Sequence, residues 1–341
     1  MRFAFAIAFT TTFLLIGCSK DAVITPTTVT TKLTAIPEGF PAIEYPSDNG
    51  FTLSRWRLGK KLFYDNRLSI DSTVSCASCH KSNLAFSDNV AKTSGVFGRP
   101  GSRNAPSLTN VAYQPYYTRE GGIGSLEAQV LVPIQEHNEF GFNIVDITKR
   151  LASDSVYQNM SRKAYNRNLD YFVLVRAIAN FERTIISGNS AYDQFKYSGV
   201  QSAITGFERK GMELFYSDKT HCSSCHSGFN FTNYAFENNG LYQTYSDVGR
   251  KRLTGEASDL GKFKVPTLRN IAITAPYMHD GSLQTLEDVV EHYNGGGTLH
   301  PNKSDLIHAL NLTYIEKQQL IAFLHTLTDH DFLNNNQFKN E

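Results

Sequence analysis

This sequence has almost no net charge, and it has no long apolar run beyond its N-terminal stretch. Lysine and arginine number 33 against 32 aspartate and glutamate residues, so the formal net charge is only +1. A chain this close to neutral has no electrostatic footprint for nucleic acid, and we exclude a nucleic-acid partner. After residue 16, no apolar run approaches the roughly 20 residues that a membrane-spanning helix needs. Strand patterns are also sparse, which leaves a predominantly α-helical fold as the expectation.

The N-terminus carries a short apolar stretch with the layout of a secretory signal. Arg2 precedes the apolar residues Phe3 to Ile16, and we predict a signal peptide over residues 1–17. Gly17 followed by Cys18 resembles the lipobox of bacterial lipoproteins, in which the mature chain begins at a lipidated cysteine. Residues 18–47, rich in Thr, Val and Pro, would form the lipidated tether. An ordinary signal peptide with an incidental cysteine is the alternative.

Two copies of one motif carry most of the chemistry: Cys-Ala-Ser-Cys-His at residues 76–80 and Cys-Ser-Ser-Cys-His at residues 222–226. Two thiols three positions apart, followed by an imidazole, have the spacing that attaches a c-type haem and ligates its iron. The residues concerned are Cys76, Cys79 and His80 for one haem and Cys222, Cys225 and His226 for the other. A disulfide, a zinc site and a thioredoxin-like redox motif are the alternatives, and none of them explains a histidine after both pairs. We therefore predict two covalently bound haem c groups.

An internal repeat divides the chain in two. Gly-Lys-Lys-Leu-Phe-Tyr at residues 59–64 precedes the first motif, and Gly-Met-Glu-Leu-Phe-Tyr at residues 211–216 precedes the second. Helix-period apolar segments close the halves at Tyr171 to Ile186 and at Tyr314 to Leu327. We predict an all-α fold of two tandem cytochrome c-like domains, in which long loops wall the haems. The predicted domains are residues 48–200 and 201–341, and the predicted loops are residues 82–104 and 230–266.

Four further segments carry a resemblance to a known family. They are Arg-Asn-Ala-Pro-Ser-Leu at 103–108, Ser-Leu-Glu-Ala-Gln at 125–129, Val-Pro-Thr-Leu-Arg-Asn at 265–270 and Ala-Pro-Tyr-Met-His-Asp-Gly-Ser at 275–282. Together with the haem motifs, they look like the bacterial di-haem cytochrome c peroxidase family, which includes the methylamine-utilisation di-haem enzymes. The resemblance runs from about Leu58 to Leu327. It implies a peroxidatic haem in the first domain and an electron-transfer haem in the second.

The resemblance assigns catalytic roles to two residues outside the motifs. Glu139 matches the family's catalytic glutamate, and Gln129 matches its pocket glutamine. A carboxylate over the open face of the iron can take a proton from bound peroxide and return it to the leaving oxygen. Glu136 is a neighbouring carboxylate that could be confused with Glu139, and a helix-surface amide is the alternative for Gln129.

Further cofactor contacts are implied by the same resemblance. A calcium ion between the haems would be bound by Asn104 and by the backbone carbonyls of Thr274 and Pro276, because calcium prefers hard oxygen ligands. His279 would line the second haem or its propionates, and Arg269 would pair with a propionate.

Three positions depart from the usual peroxidase pattern. Val96 stands where many relatives have a histidine that blocks the peroxidatic iron, so we expect an open iron without reductive activation. Tyr293 stands where a methionine ligates the second iron, with Met278 as the alternative ligand, and an anionic tyrosine should lower the potential of that haem. Arg119 stands where the family has a tryptophan between the haems.

The sequence therefore predicts a di-haem c-type peroxidase that reduces hydrogen peroxide to water with electrons from a small c-type cytochrome or copper protein. The alternative is an oxidase resembling the methylamine-utilisation enzymes, which would act on a protein or small organic substrate through a high-valent iron state. A pure electron-transfer module would need two six-coordinate irons, and Val96 disfavours it. We expect the enzyme in the periplasm, or in the cell envelope as an outer-membrane protein held only by its lipid anchor. The resemblance also allows a homodimer.

Overall fold

The computed structural model describes residue 30 and residues 32–340. The predicted signal peptide over residues 1–17, the lipidation site Cys18 and part of the predicted tether over residues 18–47 lie outside the described residues. Within the described part, no helix combines the length and apolar character that crossing a membrane requires.

Short and medium helices joined by long loops make up the fold. The first half contains α1 (Leu53–Phe63), α2 (Cys76–Cys79), α3 (Leu126–Gln129), α4 (Leu131–Gln135), α5 (Ile144–Leu151), α6 (Ser155–Tyr165) and α7 (Tyr171–Glu182). The second half contains α8 (Ala191–Lys196), α9 (Gly206–Phe215), α10 (Cys222–Cys225), α11 (Lys251–Thr254), α12 (Leu286–Asn294), α13 (Tyr314–His325) and α14 (His330–Leu333). Turns of 3₁₀ helix lie at Asn66–Leu68, Ser82–Leu84, Val96–Gly98, Val111–Tyr113, Gln201–Ala203, Ala257–Asp259, Ile271–Ile273 and Asn336–Phe338. The prediction of a mostly helical fold is confirmed.

The two predicted loops contain more regular structure than their composition indicated. Residues 82–104 include two turns of 3₁₀ helix. Residues 230–266 include the antiparallel strands β1 (Phe236–Glu237) and β2 (Phe263–Lys264). The sequence analysis did not predict this strand pair, because strands of two residues are too short to show an alternating pattern.

A glycine fixes the packing of α1 on α7. A Cβ at Gly59 would lie 1.8 Å from the carbonyl oxygen of Ala177, so the two backbones approach more closely than any side chain permits. The second half repeats this contact, because a Cβ at Gly211 of α9 would lie 1.8 Å from the carbonyl oxygen of Gln319 of α13. Both glycines begin the repeated hexapeptides of the sequence, which explains why this residue recurs there.

The helices α7 and α13 end earlier than the apolar pattern predicted. The pattern extends to Ile186 and Leu327, whereas the helices end at Glu182 and His325. Beyond the helix ends, the carbonyl oxygens of Ile185 and Leu327 accept hydrogen bonds from Asn110 N (2.8 Å) and Asn270 N (3.0 Å). The chain thus exchanges helical hydrogen bonds for contacts with a loop while its side chains stay buried.

Each half builds the same aromatic cluster beside its Cys-x-x-Cys-His motif. The ring centroids of Phe63 and Phe181 lie 5.0 Å apart in the first half, and those of Phe215 and Phe323 lie 5.2 Å apart in the second. A third, fully buried ring from the loop after each motif joins the pair, and these rings are Phe86 and Phe231. These contacts hold the motif loop against the helix pair of its own half.

Candidate functional site

The first motif presents a histidine whose ring is oriented by the backbone. His80 follows α2 directly, and its Nδ1 lies 2.9 Å from the carbonyl oxygen of Phe86. A carbonyl can only accept, so Nδ1 carries the proton and Nε2 keeps its lone pair. Burial lowers the pKa of His80, which keeps the imidazole neutral. A neutral ring with a free Nε2 is the form that a metal requires.

The second motif repeats this arrangement. His226 follows α10, and its Nδ1 lies 3.1 Å from the carbonyl oxygen of Phe231. Phe86 and Phe231 both adopt positive φ angles, 57° and 50°, which turn their carbonyls back toward the histidine. Burial lowers the pKa of His226 as well. Both motifs therefore offer the same prepared ligand.

The four motif cysteines form no disulfide bonds. Burial raises the pKa of Cys79 to about 11, with the nearby Glu139 carboxyl as the next cause, and burial raises the pKa of Cys225 to about 11 as well. A redox-active Cys-x-x-Cys motif has a lowered thiol pKa, so this chemistry is disfavoured. Among the described residues, no group of three or more His, Cys, Asp and Glu side chains is placed to hold a metal ion. Two thiols and a neutral imidazole in each motif fit a covalently attached haem c.

Glu139 lies close to the first motif. Its carboxyl is a cause of the raised pKa values of both Cys76 and Cys79, whereas in the second motif the Glu237 carboxyl contributes to the raised pKa of Cys225 but not of Cys222. Burial, followed by repulsion from Glu136, raises the pKa of Glu139 to about 6. Glu136 is exposed. The structure thus separates the two carboxylates by environment, which their sequence spacing could not do.

Val96 and Gln129 are two further residues that the sequence analysis singled out. The N–H of Val96 donates to the carbonyl oxygen of Glu139 (2.9 Å), and the Val96 side chain is fully buried and has no atom that can coordinate iron. The Oε1 atom of Gln129 is buried without a hydrogen-bond partner among the described residues. An orphaned amide oxygen of this kind indicates a group that the protein alone does not supply.

Tyr293 lies beside the thiols of the second motif. Burial, together with the nearby Cys222 and Cys225 thiols, raises the pKa of Tyr293 to about 12, and a hydrogen bond with Asn239 opposes the rise. The alternative ligand, Met278, accepts a hydrogen bond at its Sδ from Asn239 Nδ2 (3.1 Å). Asn239 therefore contacts both candidates, Tyr293 and Met278.

Arg269 and His279 have protein partners of their own. The Arg269 guanidinium is fully buried and makes two bonds to the Asp193 carboxylate, of 2.8 and 2.9 Å, and further bonds to the Phe229 carbonyl. This ion pair accounts for the burial of Arg269 without a propionate, and the predicted propionate contact stays a prediction. His279 stacks on Phe263 with ring centroids 4.2 Å apart, and burial lowers its pKa.

Asn104, one of the predicted calcium ligands, lies where the two halves join. Asn104 N donates to the His279 carbonyl (3.0 Å), which brings Asn104 alongside the segment that contains Thr274 and Pro276. Asn104 Nδ2 donates to the Val90 carbonyl (3.0 Å), and Oδ1 accepts a hydrogen bond of 3.4 Å from the Arg119 guanidinium. Oxygen donors of this type fit calcium.

Pro133 is a position that the sequence reasoning missed. The turns that begin at Tyr117 and Tyr277 are closed by the same hydrogen bond, of 2.7 Å, and each leads into a helix, α3 or α12. Pro133 follows Tyr117 by the same number of residues as Tyr293 follows Tyr277, so the two positions are equivalent in the repeat. The first half thus has a side chain without a ligating atom where the second half has a phenol. The repeat of the two turns in the sequence was the signal that could have shown this.

Comparisons with known proteins agree with this arrangement. The sequence profile of di-haem cytochrome c peroxidases matches residues 54–202. The chain is 33% identical to the methylamine utilization protein MauG of Methylorubrum extorquens over 317 residues, which cover 91% of this chain and 89% of the relative. It is 32% identical to the cytochrome c551 peroxidase of Nitrosomonas europaea over 276 residues, which cover 80% of this chain and 79% of the relative.

A solved structure extends the similarity to the fold. A MauG-like protein associated with microbial copper homeostasis matches with a TM-score of 0.85 and 33% identity, over 89% of this chain and 97% of the other. Sequence and structure therefore place the chain in the di-haem cytochrome c peroxidase family, as an oxidoreductase of the peroxidase class with two c-type haems.

Proposed function

We propose that this enzyme reduces hydrogen peroxide to two molecules of water, taking two electrons from a small c-type cytochrome or copper protein and two protons from solvent. The observation that carries the proposal is the Glu139 carboxyl, which lies near the first motif and has a pKa of about 6. A group with this pKa is mostly ionised at neutral pH and can still be protonated in turn. When bound, the haems supply the redox chemistry.

The residues of the first half have separate roles in this proposal. His80 would hold the haem iron through the lone pair of its Nε2, and the Phe86 carbonyl holds the imidazole in place. Glu139 accepts a proton from the near oxygen of peroxide and returns it to the leaving oxygen. Gln129 contributes its unpartnered Oε1 to the same pocket. Val96 and Pro133 have no ligating side-chain atom, so they leave the distal position free for peroxide.

The test compares two carboxamide variants that lie three positions apart. The haem-loaded Glu139→Gln variant should oxidise a reduced small cytochrome c with hydrogen peroxide about 100-fold more slowly than wild type, because general acid–base catalysis contributes about this much or more. The Glu136→Gln variant is the matched control, since it removes an exposed carboxylate from the same turn, and it should keep most of the activity. Equal losses in both variants would contradict the role of Glu139.

An oxidase of a protein or small organic substrate is the second candidate function. It is favoured by Tyr293, whose phenol lies beside the cysteines of the second motif, because a phenolate ligand stabilises oxidised iron. This function predicts consumption of one equivalent of peroxide with little turnover of any cytochrome or copper donor. Rapid steady-state turnover with such a donor would exclude it.

The remaining proposals concern assembly and location. We propose two tandem haem domains, at residues 48–200 and 201–341, and a calcium ion at Asn104, Thr274 and Pro276. Elemental analysis of the purified holoenzyme should find one calcium per chain. We also propose a signal peptide over residues 1–17, lipidation at Cys18, a periplasmic or outer-membrane location and a homodimer. A Cys18→Ala variant should leave the membrane fraction of the host, and sedimentation of a soluble form should give the mass of two chains.

A further inference from the structure

Arg119 lies where the two halves of the chain meet. One of its guanidinium NH₂ groups donates to the Asn104 carbonyl (2.8 Å) and lies 3.4 Å from Asn104 Oδ1. Its own carbonyl accepts from the backbone N–H of Lys264 in the second half (2.7 Å). The Nε atom is buried and has no hydrogen-bond partner among the described residues. A guanidinium is always charged, so an unsatisfied donor in the interior requires an explanation.

Other guanidinium groups in the interior pair directly with carboxylates. Arg183 makes two bonds of 2.7 Å to Glu127, and Arg269 pairs with Asp193 at 2.8 Å. In the part of the chain that the structure describes, no carboxylate forms an ion pair with Arg119. The protein therefore desolvates this cation without giving it a contacting anion.

The acids nearest to Arg119 are engaged with other groups. Glu120 and Asp247 both pair with Arg103, at 2.6 and 2.5 Å. Asp280 accepts a hydrogen bond of 2.6 Å from the Tyr242 hydroxyl. These carboxylates attract Arg119 only through space.

Lys264, like Arg119, is a cation without a contacting carboxylate among the described residues. Its Nζ donates to Gln114 Oε1 (2.5 Å) and to the Tyr116 carbonyl (2.7 Å), and it forms no ion pair with any described carboxylate. Burial, followed by repulsion from Arg119, lowers the pKa of Lys264 to about 8. Two adjacent cations without contacting anions indicate that a negatively charged group belongs here. A calcium ion at Asn104 would add positive charge and could not neutralise these two cations.

We propose that Arg119, with Lys264 beside it, binds a propionate carboxylate of a haem at the junction of the two halves. The donors that remain on the guanidinium suit a carboxylate, and a c-type haem carries two propionates. A cation beside a propionate favours the less positive, reduced iron and so raises the reduction potential of that haem. Unlike the tryptophan of the resembling family, a guanidinium cannot be oxidised, so Arg119 can tune the haem but cannot carry an oxidising equivalent itself. This inference rests on haem binding and not on the identity of the substrate.

The test measures both haem potentials by spectroelectrochemistry in the holoenzyme, together with the propionate bending band in resonance Raman spectra. In Arg119→Gln, the equilibrium constant for reduction of one haem should fall at least tenfold, which corresponds to about 59 mV for a one-electron couple, and the propionate band should shift. Arg119→Lys restores the charge and should recover most of the potential. The control is Arg252→Gln, which removes an exposed arginine 3.8 Å from Asp247 and should change neither signal.

Unchanged potentials and an unchanged propionate band in an Arg119→Gln protein that holds both haems would overturn the proposal. If this variant does not incorporate haem, Arg119→Lys carries the test: the propionate band should shift because the Nε donor is lost, and an unchanged band would overturn the proposal. Peroxide turnover that depends on Glu139 is measured separately, so failure of this inference is distinguishable from failure of the proposed function.

Discussion

The pH dependence of peroxide turnover follows from the environment of Glu139. Burial and the charge of Glu136 raise the pKa of Glu139 to about 6, so about one tenth of the carboxyl groups are ionised at pH 5 and about nine tenths at pH 7. The ionised form is the one that can accept a proton from peroxide. We therefore expect kcat/KM for peroxide to rise about tenfold from pH 5 to pH 7, with a midpoint near the pKa of Glu139.

Initial rates with a donor held at saturation across this pH range provide the assay. The Glu139→Gln variant should be slow at every pH and should lack the rise, because its amide does not titrate in this range. The Glu136→Gln variant should keep the plateau of wild type but move the midpoint to lower pH, because it removes the charge that repels ionised Glu139. A rise that persists unchanged in Glu139→Gln would refute the assignment, and so would a midpoint that stays fixed in Glu136→Gln.

Three further predictions concern the packing of two helices, a buried carboxyl group and the second haem. Gly211→Ala should lower the free energy of unfolding by roughly 3 kcal/mol or more in denaturant titrations, because its Cβ would lie 1.8 Å from the Gln319 carbonyl, whereas Gly206→Ala in the same helix meets open space and should be tolerated. Burial raises the pKa of Glu182 to about 8, so the folded chain retains a proton that the unfolded chain loses above about pH 4.5. The unfolding free energy should therefore decrease as pH rises from about 4.5 to 8, by at most about 1.4 kcal/mol per pH unit, and Glu182→Gln should remove this component of the slope. Tyr293→Phe should change the ferric spectrum of one haem and raise its potential, and an unaltered spectrum would exclude Tyr293 as a ligand.

The sequence could predict the features that are encoded locally. The spacing of Cys76, Cys79 and His80 lies within one turn of helix and its cap, so the chemistry of the motif needs no distant contact. The repeated hexapeptides also indicate the helix pairs. A glycine such as Gly59 is required where two backbones approach so closely that no side chain fits between them. Local composition and periodicity were sufficient for these elements.

Contacts between distant residues were beyond such reasoning. Arg269 lies in a turn and its partner Asp193 lies on α8, and nothing in the sequence around Arg269 distinguishes a protein carboxylate from a haem propionate. The burial that separates Glu139 from Glu136 likewise arises only after the chain has folded. The strand pair of β1 and β2 joins segments whose two-residue lengths leave no pattern to detect.

The two halves share the same structural contacts around their haem motifs, which limits where a chemical difference between their haem sites can originate. The histidine-to-carbonyl bond and the aromatic cluster are nearly identical in both halves, so the proximal side should give both irons similar properties. Two pairs of equivalent positions that differ are Pro133 against Tyr293 and Arg119 against His279. Exchanging a pair should therefore transfer a property: Pro133→Tyr should give the first haem the spectrum of a ligated iron and suppress peroxide turnover, while both haems remain attached. A variant that retains full turnover would show that the difference between the halves arises elsewhere.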